Sequence, residues 1–198
     1  MTAETAANIV WPVWYVTWIA AVVWSARTKT QMKTDMAGPS RWLAGLGSFL
    51  LFAPSHLGQS AWKLGPFDVL FRKYWVQPSW VAWSLFVLIV AGFAFCWWAR
   101  LHLGRLWSGF VTVKEDHRVV DTGPYGLVRH PIYAGVIFSG FMMALLRASP
   151  ASLIGCAMFA AGFAMIAATE ERFLREQLGE DAYDAYSRRV PMLIPMTR

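Results

Sequence analysis

Arg129 and His130 stand between Tyr125 and Tyr133 in the stretch DTGPYGLVRHPIYAG, Asp121 to Gly135, and an acidic pair, Glu170 and Glu171, follows further along the chain. Each residue type brings a distinct capability. An arginine carries a permanent cation, and a histidine with an unperturbed pKa of about 6.5 exchanges protons near neutrality. Tyrosines offer flat rings for stacking or for a cation, and a carboxylate pair attracts positive charge. Gly123-Pro124 reads as a turn, and Pro131 suits the first position of a helix, where its missing N–H leaves nothing unpaired. The free N–H groups of that helix start, with Arg129 beside them, make an anion site.

The elements that must position these groups are apolar. Of the 198 residues 57% are hydrophobic and 15% charged, with a mean hydropathy of +0.39, against about 25% charged in soluble domains. That composition predicts an all-α integral membrane protein with about five transmembrane helices, judged by the roughly 20 apolar residues a crossing needs. The spans are expected near Ile9–Ala26, Trp42–Leu57, Trp80–Ala99, Pro131–Leu146 and Ala151–Ala168. No Lys or Arg precedes the first of them, so it reads as a retained helix and not a secretory signal. Only Arg147 to Pro150 separates the fourth span from the fifth, which predicts an antiparallel hairpin. Gly135, Gly140, Gly155 and Gly162 within it permit close helix contact.

That hairpin sets Arg129 and His130 beside Glu170 and Glu171, because the start of its first helix must lie next to the end of its second. With the N-terminus outside, fourteen Lys and Arg fall on the inner side and four on the outer, the asymmetry of the positive-inside rule. The Arg100–His130 loop and the C-terminal helical tail, interrupted at Gly179, then face the cytoplasm, and a bacterial inner membrane is the expected location. Residues 1–99 read as a three-span membrane region and residues 100–198 as the catalytic region, integrated into one domain.

An anion site, aromatic faces and a carboxylate pair at a membrane surface match S-adenosylmethionine, which has a carboxylate, an adenine and a sulfonium cation. A nicotinamide dinucleotide would also use Arg, His and Tyr, with less need of two Glu. Several other classes are disfavoured. The net charge of +6 flanks apolar segments without a groove-like basic cluster, which favours anionic lipid headgroups over nucleic acid. Cys96 and Cys156 sit inside apolar runs as small hydrophobes, and no metal site is expected. His102 reads as a polar residue at the membrane surface without a ligand role, and His56 as at most half of a haem pair. GLGSFL at Gly45 lies in an apolar helix, which excludes a soluble dinucleotide-type fold. A scaffold or transporter subunit is the non-enzymatic alternative, but the apolar runs lack central ionisable groups.

LGRLWS (Leu103–Ser108), HRVVDTGPY (His117–Tyr125), VRHPIYAG (Val128–Gly135), EERFL (Glu170–Leu174) and RVPMLIP (Arg189–Pro195) together resemble the isoprenylcysteine carboxyl methyltransferase family, with phospholipid methyltransferases as more distant relatives. The resemblance implies a helical membrane enzyme that methylates a hydrophobic or lipid-like acceptor with S-adenosylmethionine, leaving S-adenosylhomocysteine. By position it implies a cofactor site of His117, Val119, Val120, Gly123, Tyr125, His130, Pro131 and Tyr133 with Glu170 or Glu171, and catalytic roles for Arg129, His130 and Glu170. Members that act on a C-terminal carboxylate often carry an Arg one turn before the Glu pair, where this chain has Ile166. Sterol reductases of the same fold class read HPNYxG followed by an acid; Ile132 and Val136 replace the Asn and the acid here, which favours methyl transfer over reduction.

Overall fold

The computed structural model describes residues 1–21, 28–31, 38–53, 67–107, 112–114 and 120–197. Seven α-helices are described: α1 (Ala3–Ala20), α2 (Pro39–Phe52), α3 (Asp68–Phe71), α4 (Ser79–Leu103), α5 (Pro131–Arg147), α6 (Pro150–Leu178) and α7 (Glu180–Arg189). The helical expectation holds, with one addition. Thr28–Gln31 (β1) and Thr112–Lys114 (β2) pair as a short antiparallel ribbon. Four residues against three carry no apolar periodicity, so nothing in the sequence announced them.

Among the described residues, two helices are long and apolar enough to cross a membrane, α4 and the Pro150–Gln177 part of α6. Along α4, Val87, Leu88 and Val90 are exposed between Trp80 and Trp83 at one end and Trp98 at the other. Such a surface suits hydrocarbon bounded by interfacial aromatics. The 17 residues of α5 and the 14 of α2 would reach only about 25 Å and about 21 Å at 1.5 Å per residue, short of a core of roughly 30 Å. The first helix also starts earlier than its apolar run, because Thr2 caps it by accepting from the Thr5 N–H at 3.1 Å.

The expected hairpin forms through a connection of two residues. Ala148 ends α5 in the left-handed conformation (φ 57°), and Ser149 then caps α6 in a reciprocal arrangement with Ser152, with Pro150 in the first turn. Of the four small residues, however, only Gly140 faces the hairpin's own seam, against Phe159 of α6. A Cβ on Gly155 would lie 2.5 Å from Leu51 N and 2.7 Å from Gly47 O, so α6 meets α2 backbone to backbone. A Cβ on Gly135 would lie 2.8 Å from Gly92 O, which sets α5 equally close to α4. Each hairpin helix therefore spends its small face on a partner outside the hairpin, where a side chain would hold the backbones apart.

Two arginines that read as loop charges are buried structural groups. Arg147 reaches Asn8 Oδ1 (2.9 Å) on α1 and the carbonyls of Phe52 (3.1 Å) and Ala53 at the end of α2, with Glu4 at 3.6 Å. It satisfies carbonyls that a helix C-terminus leaves open and draws three helices together. At the other end of the bundle Arg100 donates to Ala21 O (2.9 Å) and Gly104 O (2.7 Å), with its guanidinium 4.3 Å from the centre of the Trp107 ring.

Candidate functional site

The hairpin brings the predicted groups together. Glu170 lies twenty residues into α6 and Tyr133 in the first turn of α5, and the Tyr133 hydroxyl donates to Glu170 Oε2 at 2.9 Å. His130, buried just before α5, stacks its ring on Tyr133 (5.4 Å between centroids, 3° between planes). Its Nε2 lies 3.1 Å from Glu171 Oε1 and its Nδ1 lies 3.7 Å from Glu170 Oε2. If Nε2 donates to Glu171, as that carboxylate requires, Nδ1 carries the lone pair.

Arg129 departs from expectation. It was expected to meet an incoming anion, and it meets Glu171. Its Nε donates to Oε1 at 2.7 Å and its Nη2 to Oε2 at 3.0 Å, while Nη1 donates to the carbonyls of Ser187 (2.9 Å) and Val190. Burial works to lower the guanidinium pKa, and the hydrogen bonds and charge of Glu171 outweigh it and hold it above its ordinary value. The backbone is committed in the same direction, since the N–H groups of Arg129 and His130 donate to Pro191 O (2.8 Å) and Met192 O (3.1 Å). The anion cradle foreseen before α5 is thus partly filled by the chain's own tail.

The acidic pair is consequently split. Glu170 faces a cavity of about 670 Å³, whereas Glu171 is turned to Arg129 and is not among its lining residues. Its polar lining comes from Arg129, His130, Tyr133, Glu170, Tyr183 and Tyr186, and its aromatic lining from Trp11, Trp14 and Trp18 of α1 with Phe52, Trp107 and Phe163. The two meet where Phe163 packs on Tyr133, 5.3 Å between ring centroids. Val120, Tyr125 and Pro131 also line the cavity. Gly123 does not, and instead turns the loop at φ +57°. His117 and Val119, like His56, lie outside the described residues. Among the described residues no cluster of three or more His, Cys, Asp or Glu side chains could hold a metal ion.

The sequence reading did not assign Tyr183, Tyr186 or the tryptophans of α1 to the site. Tyr183 and Tyr186 are spaced three apart on α7, so they share a face; that face packs on Leu174. The Tyr186 hydroxyl donates to Tyr125 O at 2.8 Å. Burial raises the pKa of Tyr125, Tyr183 and Tyr186 above the ordinary tyrosine value, so all three act as neutral hydroxyls near pH 7.

Residues 80–176 match the sequence model of the isoprenylcysteine carboxyl methyltransferase (ICMT) family. A cobalt-zinc-cadmium resistance protein, CzcN, of Cupriavidus metallidurans is 32% identical over 98 residues, which cover 47% of this chain and 43% of that protein. Protein-S-isoprenylcysteine O-methyltransferase B of Arabidopsis thaliana is 26% identical over 131 residues, 65% of this chain and 66% of the relative. The protein-S-isoprenylcysteine O-methyltransferase of Schizosaccharomyces pombe is 33% identical over 101 residues, 50% of this chain and 42% of the relative. The chain thus spans less than two thirds of the length of each relative.

Proposed function

From that family match we propose that this chain is an integral-membrane methyltransferase that uses S-adenosylmethionine to methylate an O, N or S nucleophile on a hydrophobic or lipid-like acceptor. The observation that carries the reading is a single cavity lined both by a carboxylate, an imidazole and tyrosines and by three tryptophans of α1. A volume of about 670 Å³ falls within the range of about 300–1,000 Å³ usual for ligand sites. The donor set fits the cofactor, since Glu170 supplies an anion for its ammonium and Tyr125, Tyr183 and Tyr186 supply ring faces for its adenine. When bound, the cofactor supplies an electrophilic methyl on a sulfonium.

In this reading the chain's residues bind, orient and exclude water. Glu170 is fixed by the Tyr133 hydroxyl, so it presents its charge without reorganisation. The aromatic lining holds the acceptor's apolar body and aims its nucleophile at the polar groups. Such positioning is worth effective molarities of about 10⁵ M or more in well-oriented cases. Where the acceptor is an amine or a thiol, its proton passes to His130 Nδ1, because Nε2 is engaged by Glu171. Arg129 acts on the site indirectly, by holding Glu171 and the tail.

The wider reading is a five-span topology, in which α1 crosses alongside α4 and α6 and the shorter α2 and α5 cross where the bilayer thins to match them, with the N-terminus outside, and the site and C-terminus on the cytoplasmic side of a bacterial inner membrane. The charge asymmetry of the flanking segments supports it. A fluorescent reporter fused after Arg198 should light up in the cytoplasm, and an exported-only reporter active at that position would reverse the orientation. The cofactor is tested by calorimetric titration of S-adenosylhomocysteine into the detergent-purified protein, with NADPH titrated in parallel. Saturable binding of S-adenosylhomocysteine alone is expected; binding of NADPH alone would move the chain to the reductases, and binding of neither would favour a scaffold.

A further inference from the structure

His102, the penultimate residue of α4, sits beside Tyr125, and nothing in the proposed chemistry uses it. Its Nε2 lies 2.9 Å from the Thr122 hydroxyl, so helix and loop are joined there by a hydrogen bond. Its ring also fills the concave side of the turn at Gly123. A Cβ added to that glycine would lie 2.7 Å from His102 Cε1 and 2.9 Å from Nδ1, while the φ of +57° already favours glycine. Two residues on, the buried Tyr125 ring faces the imidazole at 6.4 Å and 25°. The same tyrosine is held from the opposite side by the hydroxyl of Tyr186.

We propose that His102 is a positioning residue for cofactor binding: by gripping Thr122 and packing into the Gly123 turn, it sets Tyr125 at the wall of the cavity. The proposal rests on the methyltransferase reading of that cavity. Loop 121–126 is held between the end of α4 and α7, with Arg189 on Asp121 Oδ2 (3.0 Å) adding a third, exposed tie. His102 is the hold that comes from the membrane-spanning part. It therefore transmits the position of α4, whose last residue, Leu103, also lines the cavity. Because its ring is exposed, truncation removes little from the core, and the effect falls on the loop and not on global folding.

The test is calorimetric titration of S-adenosylhomocysteine into the full-length protein and its H102A, H102Q, T122V and H102A/T122V variants, with thermal melting of each. H102A is expected to raise the dissociation constant at least fivefold with the melting temperature nearly unchanged. H102Q, which can still bond Thr122, should recover a large part of the affinity. T122V should weaken binding in the same direction, and the double variant should be no weaker than H102A alone, because both changes remove one interaction. Unaltered affinity in H102A, or additive losses in the double variant, would overturn the role of His102. Failure of the unaltered protein to bind would instead defeat the cofactor reading, and this role with it.

Discussion

The split between Glu170 and Glu171 makes adjacent carboxylates separable by experiment. Glu171→Ala leaves Arg129 with its charge, two carbonyl acceptors and no counterion. The side chains of Arg129 and Glu171 are 12% and 18% exposed, so the pair sits short of full burial. Breaking a fully buried pair costs about 3–5 kcal/mol, and a single charge-assisted hydrogen bond contributes about 1.5–3 kcal/mol. We therefore expect a loss of about 3 kcal/mol, which lowers the melting temperature by roughly 6–12 °C for a chain of this size. Glu170→Gln keeps an oxygen for the Tyr133 hydroxyl and loses only the charge. It should melt within about 2 °C of the unaltered protein, since a change that breaks no packed or paired group costs under about 0.5 kcal/mol. It should nevertheless weaken S-adenosylhomocysteine binding tenfold or more. Differential scanning fluorimetry and calorimetric titration on the same preparations give both numbers. If Glu170→Gln proves the less stable variant while Glu171→Ala melts normally, the assignment of one carboxylate to structure and the other to ligand is wrong.

Glycine substitutions test the α2–α6 seam: Gly47→Ala, whose Cβ would meet Phe159 N at 2.4 Å, should cost about 1–3 kcal/mol or prevent folding. Gly45→Ala, inside α2 with nothing within 4 Å of its Cβ, should hold or slightly raise the melting temperature, since Gly is about 1 kcal/mol less favourable than Ala in a helix interior. Arg147→Ala removes the group that joins α1, α2 and α5, and a loss of about 3 kcal/mol is expected, read by thermal melting. Tyr186→Phe leaves Tyr125 O without its donor and should cost about 1 kcal/mol, with a measurable rise in the S-adenosylhomocysteine dissociation constant. Because burial raises the pKa of Tyr125, Tyr183 and Tyr186, their contribution is complete below the unfolded value of about 10 and declines as pH rises above it. Melts compared between pH 8 and pH 11 should therefore fall on the alkaline side, and less so in Tyr186→Phe.

Local physics made much of this protein legible in its sequence. The break at Arg147–Pro150 specified a hairpin, because chain connectivity leaves two apolar helices joined by so few residues only an antiparallel arrangement. The same connectivity returns the later part of α6 to the side on which α5 begins, so the approach of the polar stretch to the acidic pair was legible before any packing was known. The interruption of the tail at Gly179 was likewise readable, and its φ of +96° shows why glycine stands there.

What the sequence left open depended on which faces meet. Glu170 and Glu171 are chemically identical neighbours, and only the helix's turn of about 100° per residue, fixed by packing on α5 and α7, sends one into the cavity and the other to Arg129. The glycines of the hairpin announced close contact but not with whom, and the fold turned all but Gly140 to α2 and α4. Arg100 and Arg147 counted as flanking charges until the bundle placed open helix carbonyls within their reach. Composition and spacing determined the elements and the pairing that connectivity forces; the facing of each side chain was decided by long-range packing, which one residue's neighbours along the chain do not encode.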